Sequence, residues 1–268
     1  MTRWHSLYLL SSNQDAIAQH IEAHLITVGF LLYTPFGRFP GMSYPSTLKT
    51  FVAPAHANWV RVLLDCTPQD AEALAQSLSA KTTCLSTSLD GRIAKVRVYQ
   101  DGLLQNNIAE ALQAYTLNDC DLNGMMDTGV YDLPSIDDVH IGDVAIHDLP
   151  PDIQQMAGQV SGRRADVLFK QLSKRFLKTV GMFDARTLLD HQADWNSQGG
   201  QFLRALMGCL IPDASWRTPD FATLRSAYSL QTRRQFDPNT ALLPGDDQAL
   251  TAIPDALDYI PVYGGKST

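Results

Sequence analysis

The feature that most constrains the fold is an internal repeat: residues 4–18 align without a gap on residues 59–73, an offset of 55. Trp4/Trp59, Leu9/Leu64, Gln14/Gln69, Asp15/Asp70, Ala16/Ala71 and Ala18/Ala73 are identical, and Leu7/Val62, Tyr8/Leu63 and Ser12/Thr67 are similar. Any strand that runs into a helix has an apolar stretch followed by a cap. That generality does not account for a shared tryptophan and a shared Gln-Asp-Ala, so the repeat reads as a duplication. Thr67 is expected to N-cap the second helix, with Pro68 at its first position and Asp70 at the positive end of its dipole. Ser12 and Asp15 are expected to do the same in the first copy.

Two extended segments follow each helix, 30–34 with 48–53 and 82–89 with 92–99, the last pair joined at Asp90-Gly91, a tight-hairpin signal. In 92–99, Ala94, Val96 and Val98 alternate with Lys95 and Arg97, as in a strand with one face in the core. The unit is therefore βαββ, used twice, and residues 103–115 read as a helix that closes the domain. The expected fold is α+β: an N-terminal antiparallel sheet from two βαββ repeats, then a mainly helical C-terminal half. The expected parts are a duplicated domain (1–116), an acidic connector (117–150), a helical domain (151–236) and an acidic extended tail (237–268). In architecture, tandem βαββ units resemble the effector-binding domains of gyrase-inhibitor-like and transcription-activator proteins; ferredoxin-like pairing of the same elements is the alternative. The resemblance implies a cleft between the repeats for a small molecule.

In the first repeat, the loop over residues 36–45 stands where the second has a tight turn. Its two glycines, two prolines and three aromatics make Phe36, Arg38, Phe39 and Tyr44 candidates for a flap over such a cleft. The alternative is a loop packed on its own aromatics.

The connector holds Asp119, Asp121, Asn123, Gly124 and Asp127 at the spacing of the first half of a calcium loop. Val130 stands where a bidentate glutamate is required, so the reading divides between a calcium or magnesium site and an Asp-rich turn. No other cofactor is indicated. His20 and His24 lie one helical turn apart but lack a nameable third ligand, which favours histidines bonded within the fold.

Charge is uneven. Residues 1–150 carry 8 Lys/Arg against 16 Asp/Glu, residues 151–236 carry 12 against 7, and residues 237–268 carry 1 against 5. The clearest amphipathic pattern is at 163–180, where Leu168, Phe169, Leu172 and Phe176 oppose Arg163, Arg164, Lys170, Lys174 and Lys178. That basic face either meets the acidic segments of its own chain or takes an anion. The acidic whole and the absence of recognition motifs argue against a nucleic-acid partner. Helices are also expected at 184–194, 200–211 and 219–230, the last capped by Thr218, with 259–263 packing back as part of an extended arm.

Cys66, Cys84, Cys120 and Cys209 lie far apart and read as buried free thiols. No apolar run approaches the roughly 20 residues of a membrane span, and the expected location is the cytoplasm. No nucleophile, phosphate-loop or dinucleotide motif is present. The expected function is therefore non-catalytic binding of a small ligand or protein partner. A metal-assisted hydrolase using Asp119, Asp121 and Asp127 is the alternative, and nucleic-acid binding through the 163–178 face comes second to it.

Overall fold

The computed structural model describes residues 4–36, 44–117, 120–126, 193–211, 214–243, 245–253 and 257–267. Its strands are β1 (Trp4–Leu10), β2 (Leu31–Leu32), β3 (Ser46–Val52), β4 (Trp59–Asp65), β5 (Cys84–Asp90), β6 (Ile93–Gln100), β7 (Leu103–Leu104) and β8 (Ile260–Lys266). All belong to one antiparallel sheet in the order β2-β8-β3-β4-β1-β5-β6-β7. The described helices are α1 (Gln14–Thr27), α2 (Pro68–Leu78), α3 (Ile108–Gln113), α4 (Leu122–Met126), α5 (Gln198–Gly208), α6 (Phe221–Phe236) and α7 (Asp246–Ala252). The architecture is mixed α+β, and no helix among the described residues is long and apolar enough to cross a membrane.

The two segments that align in sequence, β1 and β4, are the central strands. Leu7 stands directly opposite Val62, its counterpart at the offset of 55. Strand alternation then sorts the side chains onto two faces. Leu7, Leu9, Val60, Val62 and Leu64 pack with Ile17, Ile21, Leu25, Leu74 and Leu78 of α1 and α2. On the other face Trp4, Tyr8 and Trp59 join Leu203, Leu206 and Met207 of α5, while Phe51 and Leu63 join Leu224 and Ala227 of α6 and Ala249 of α7. Because both faces are covered, β4 is buried from Trp59 through Leu64, which explains its nearly unbroken apolar run.

Several expectations need correction. The α1 cap is Asn13, not Ser12: the Ala16 amide donates to Asn13 Oδ1 at 2.9 Å. Thr67 caps α2 as expected, with Asp70 N donating at 3.1 Å and Pro68 opening the helix. The two helices therefore start one aligned position apart, because Asn, itself a strong cap former, stands where the second copy has Pro68. Asp220, not Thr218, caps α6 by accepting from Thr223 N at 2.7 Å. The hairpin loop is Gly91-Arg92, since Asp90 pairs with Ile93, and Gly91 supplies the positive φ of 56°. Residues 103–115 hold the short edge strand β7 and a helix confined to Ile108–Gln113. Of the extended segment at 30–34, only Leu31 and Leu32 form a strand, at the opposite edge of the sheet.

The tail beyond Asp237 contains α7 and then β8, which enters the sheet between β2 and β3. Gly265 suits that path: a Cβ there would lie 2.2 Å from the Tyr44 ring. Helix α5 approaches β6 as closely, since a Cβ on Gly199 would meet the Arg92 carbonyl oxygen at 2.4 Å. A side chain at either position would push the layers apart.

The cysteines are not all free. Cys120, just before α4, and Cys209, just after α5, form a disulfide with their Cα atoms 5.8 Å apart. Cys84 is buried and Cys66 half-buried, both as thiols.

Candidate functional site

A cavity of about 1040 Å³ lies on the sheet face covered by the C-terminal elements, where the core around α5 meets the core around α6. Trp4, Arg61 and Leu63 of β1 and β4 form its floor, with Trp195, Arg217 and Phe221 among the residues around them.

Arg61 is the least expected residue here, a charged side chain only 4% exposed in the middle of an apolar strand. Alternation aims it at the same face as Trp59 and Leu63, so its guanidinium enters the protein and must find acceptors there. Nε donates to Ser6 Oγ at 3.1 Å, Nη1 to the Ser215 and Pro219 carbonyl oxygens at 3.2 and 3.0 Å, and Nη2 to the Arg217 carbonyl oxygen at 3.0 Å. Three backbone acceptors from residues 215–219 thus fasten that segment to the sheet through one cation. Burial lowers the Arg61 pKa, against opposing pulls from Tyr8, Tyr259 and Asp220. Ser6 and Arg61 are themselves counterparts at the offset of 55, so the bond joins the two central strands across their midline.

Tyr8 adds a second fastening on the same face. It is fully buried, its hydroxyl donates to the Trp216 carbonyl oxygen, and burial pushes its pKa up to about 12. At pH 7 it is a neutral hydrogen-bond donor. Trp4, Trp195 and Trp216 meet edge to face, with centroids 5.0 to 6.0 Å apart. Arg217 lies 5.1 Å above the Trp195 ring and Arg61 5.9 Å above the Trp4 ring. Among the described residues the Trp4 indole Nε1 is buried without an acceptor.

The acidic and basic groups lining the cavity differ in how they are engaged. Asp65 pairs with Lys49 at 3.2 Å, Asp194 with Arg92 at 3.5 Å, and Asp220 caps α6. Arg204 and Arg225 also line the cavity, are exposed, and pair with no carboxylate among the described residues.

A second cleft, of about 60 Å³, adjoins His5, Glu72, Ser86 and Arg97. His5 Nε2 lies 3.2 Å from Ser86 Oγ, and Arg97 is paired with Glu72. The space holds about two water molecules and is too small for a substrate.

The residues singled out in the sequence lie elsewhere or outside the described residues. Phe36 packs on Phe51, Tyr228 and Tyr263, and Tyr44 on Tyr33, in an aromatic cluster under α6. Neither is among the described residues lining the large cavity, and Arg38 and Phe39 lie outside the described residues. Asp121 Oδ1 accepts from the Gly124 amide at 3.0 Å, an Asx-type turn opening α4. Asp119 and Asp127, the Asn123 side chain, and the basic set Arg163, Arg164, Lys170, Lys174 and Lys178 lie outside the described residues. Among the described residues no cluster of three or more His, Cys, Asp or Glu could hold a metal ion. His20 and His24 have pKa values lowered first by burial, as for partly covered neutral imidazoles.

The signal for the cavity was present in the repeat. Aligning Ser6 with Arg61 places a guanidinium at a core-facing strand position, where only a dense set of acceptors makes it tolerable. That the acceptors come from 215–219 has no counterpart in local sequence.

No protein-family model, curated protein or solved structure matches the chain.

Proposed function

We propose that this chain is a non-catalytic ligand-binding protein whose site is the cavity between the β1/β4 face and the C-terminal elements. The observation that carries the reading is the cavity itself, about 1040 Å³ between two packed cores. Ordinary small-molecule sites span about 300–1,000 Å³ and combine apolar walls with a few fixed polar groups. Here the walls include indole and phenyl rings, and the charged groups are four guanidiniums and three carboxylates. The site differs from the inter-repeat cleft expected from sequence, because the C-terminal elements supply most of its lining.

The reading extends to the fold. Strand order β3-β4-β1-β5 with α1 and α2 packed on the same face corresponds to ferredoxin-like pairing of a βαββαβ unit, and the central position of β1 and β4 is in keeping with a duplicated origin. On that view β6, β7, β2 and the C-terminal β8 widen the sheet, and the ligand lies on the face that α1 and α2 leave open. The Cys120–Cys209 disulfide favours an oxidising compartment over the cytoplasm.

The test is native mass spectrometry of protein purified from cells, beside an Ala222→Trp variant that places an indole at the cavity. A bound small molecule should be present in the parent and lost from the variant. The parent should also melt higher, because a ligand that binds only the folded state stabilises it. Equal mass spectra and equal melting curves for the two proteins would remove the reading.

A further inference from the structure

Resting on the cavity as the binding site, we infer that its ligand is an organic anion with an apolar portion, held by Arg204, Arg217 and Arg225 beside the corner formed by Trp4 and Trp195. Two separate observations lead there.

The first concerns charge. Four arginines and three aspartates line the cavity, which looks nearly balanced until their engagements are considered. Asp65 and Asp194 answer to Lys49 and Arg92 beside them, and Asp220 is committed to the first turn of α6. Asp65 and Asp194 are thus answered by cations outside the lining, and Asp220 by the helix end and by the already committed Arg61, so no carboxylate answers Arg204, Arg217 or Arg225. Arg61 is likewise committed, to Ser6 and three backbone carbonyls. Arg204, Arg217 and Arg225 are left with guanidiniums that no described carboxylate answers. A cavity in which the acids are engaged and three bases are not selects an anion. The planar fork of arginine suits a carboxylate, sulfonate or phosphate oxygen pair.

The second concerns shape. Trp4 and Trp195 both line the cavity and meet edge to face at 5.0 Å, so their rings form two walls of an apolar corner. Arg217 lies over Trp195, which puts one of the three cations directly beside that corner. A ligand with an aromatic or alicyclic portion joined to an acidic group meets both chemistries at once.

The test uses two dyes that share their rings and differ in charge. 1-Anilinonaphthalene-8-sulfonate is an anion, and N-phenyl-1-naphthylamine is its neutral counterpart. Each is titrated by fluorescence into the full chain, an Arg204→Gln/Arg225→Gln variant and the Ala222→Trp variant. The anion should bind one site at least tenfold more tightly than the neutral dye at low salt. That advantage should shrink as sodium chloride is added. The double arginine variant should erase it while leaving the neutral dye's affinity within twofold, and Ala222→Trp should abolish both. If the neutral dye binds the same site as tightly as the anion and neither notices the arginines, the anion inference is overturned while the cavity stands. If Ala222→Trp leaves both titrations unchanged, or neither dye binds the parent, the cavity reading falls and this inference with it.

Discussion

The two faces of the central sheet are closed by different means. Under α1 and α2 the contact is almost wholly aliphatic, Leu7, Leu9, Val60, Val62 and Leu64 against Ile17, Ile21, Leu25, Leu74 and Leu78. Under the C-terminal elements the same strands present Ser6, Tyr8 and Arg61, and bonds to backbone carbonyls of residues 215–219 fix the covering segment. Apolar packing is non-directional and tolerates small shifts, whereas a guanidinium holding three carbonyls sets one position. The lesson is one of division: the first face supplies cohesion, and the second holds its cover at a fixed distance and so keeps a cavity open.

The largest effect should come from the disulfide, which belongs to the second face, with Cys209 in the core around α5. Cys120 and Cys209 are 89 residues apart. Closing a loop of that size constrains the unfolded chain by about 4.6 kcal/mol in the chain-entropy account. Replacing both cysteines with alanine should lower unfolding stability in urea by roughly 2–4 kcal/mol. Hydrogen exchange should rise in α5 well before it rises in α1 and α2. Equal loss of protection on both faces would break the comparison, because the faces would then open as one unit.

Next comes Arg61. Arg61→Met keeps an unbranched side chain but leaves the Ser215, Pro219 and Arg217 carbonyl oxygens without their donor, and should cost about 3 kcal/mol. Leu74→Ala on the opposite face should cost about 2–5 kcal/mol by cavity formation. The informative difference lies in binding: Leu74→Ala should leave dye affinity nearly unchanged, whereas Arg61→Met should weaken it at least fivefold by releasing residues 215–219. A variant at Arg61 that binds dye normally would show the cover to be held by packing alone.

How much of this was legible follows the same division. The α1/α2 face was readable because alternation and helical period both act within short windows, and the repeat marked β1 and β4 as equivalent strands, although their pairing emerged only from the structure. The caps were readable to within two residues: Thr67 caps α2 as expected, Asn13 lies one residue beyond Ser12 and Asp220 two beyond Thr218, all good cap formers between which the backbone decides. The other face was hidden because its partners are distant in sequence: Tyr8 bonds residue 216, Arg61 bonds residues 215–219, and β8 pairs with β3 across more than 200 residues. The disulfide was hidden for the same reason, as nothing near Cys120 or Cys209 announces the other.

A smaller effect is expected at Tyr8. Tyr8→Phe removes only the hydroxyl that donates to the Trp216 carbonyl, leaving a buried acceptor unpaired, and should cost about 2 kcal/mol. The ring remains, so the edge-to-face tryptophan cluster should hold and dye binding should change less than twofold. Combined with Arg61→Met, the loss should be less than additive, because both residues fasten the segment containing Trp216. Strict additivity would mean that the two fastenings act on separate parts of the cover.

The smallest effect, and the one that depends on pH, lies at Asp246, 2% exposed at the start of α7 beneath the second face. Burial alone would raise its pKa. The Leu243 amide, the bond from Arg233 and the nearby charges of Arg233 and Arg234 outweigh burial, and the net shift is downward. A carboxylate whose folded pKa is depressed contributes stability that is fully present above its unfolded value, near 3.8, and is lost as pH falls through the lower folded value. Asp246→Asn keeps an oxygen for Leu243 N–H but gives up the charge beside Arg233, and should cost about 1 kcal/mol at pH 7. As the pH is lowered below about 4, the parent should lose that advantage and the two urea midpoints should converge. The α1/α2 face has no buried carboxylate of this kind among its packed residues, so the acid-dependent loss should register as earlier exchange in α6 and α7 and not in α1 or α2. If the two midpoints keep a constant gap from pH 7 to pH 2, Asp246 acts through its shape alone, and the electrostatic share of the second face's anchoring is smaller than its hydrogen bonds suggest.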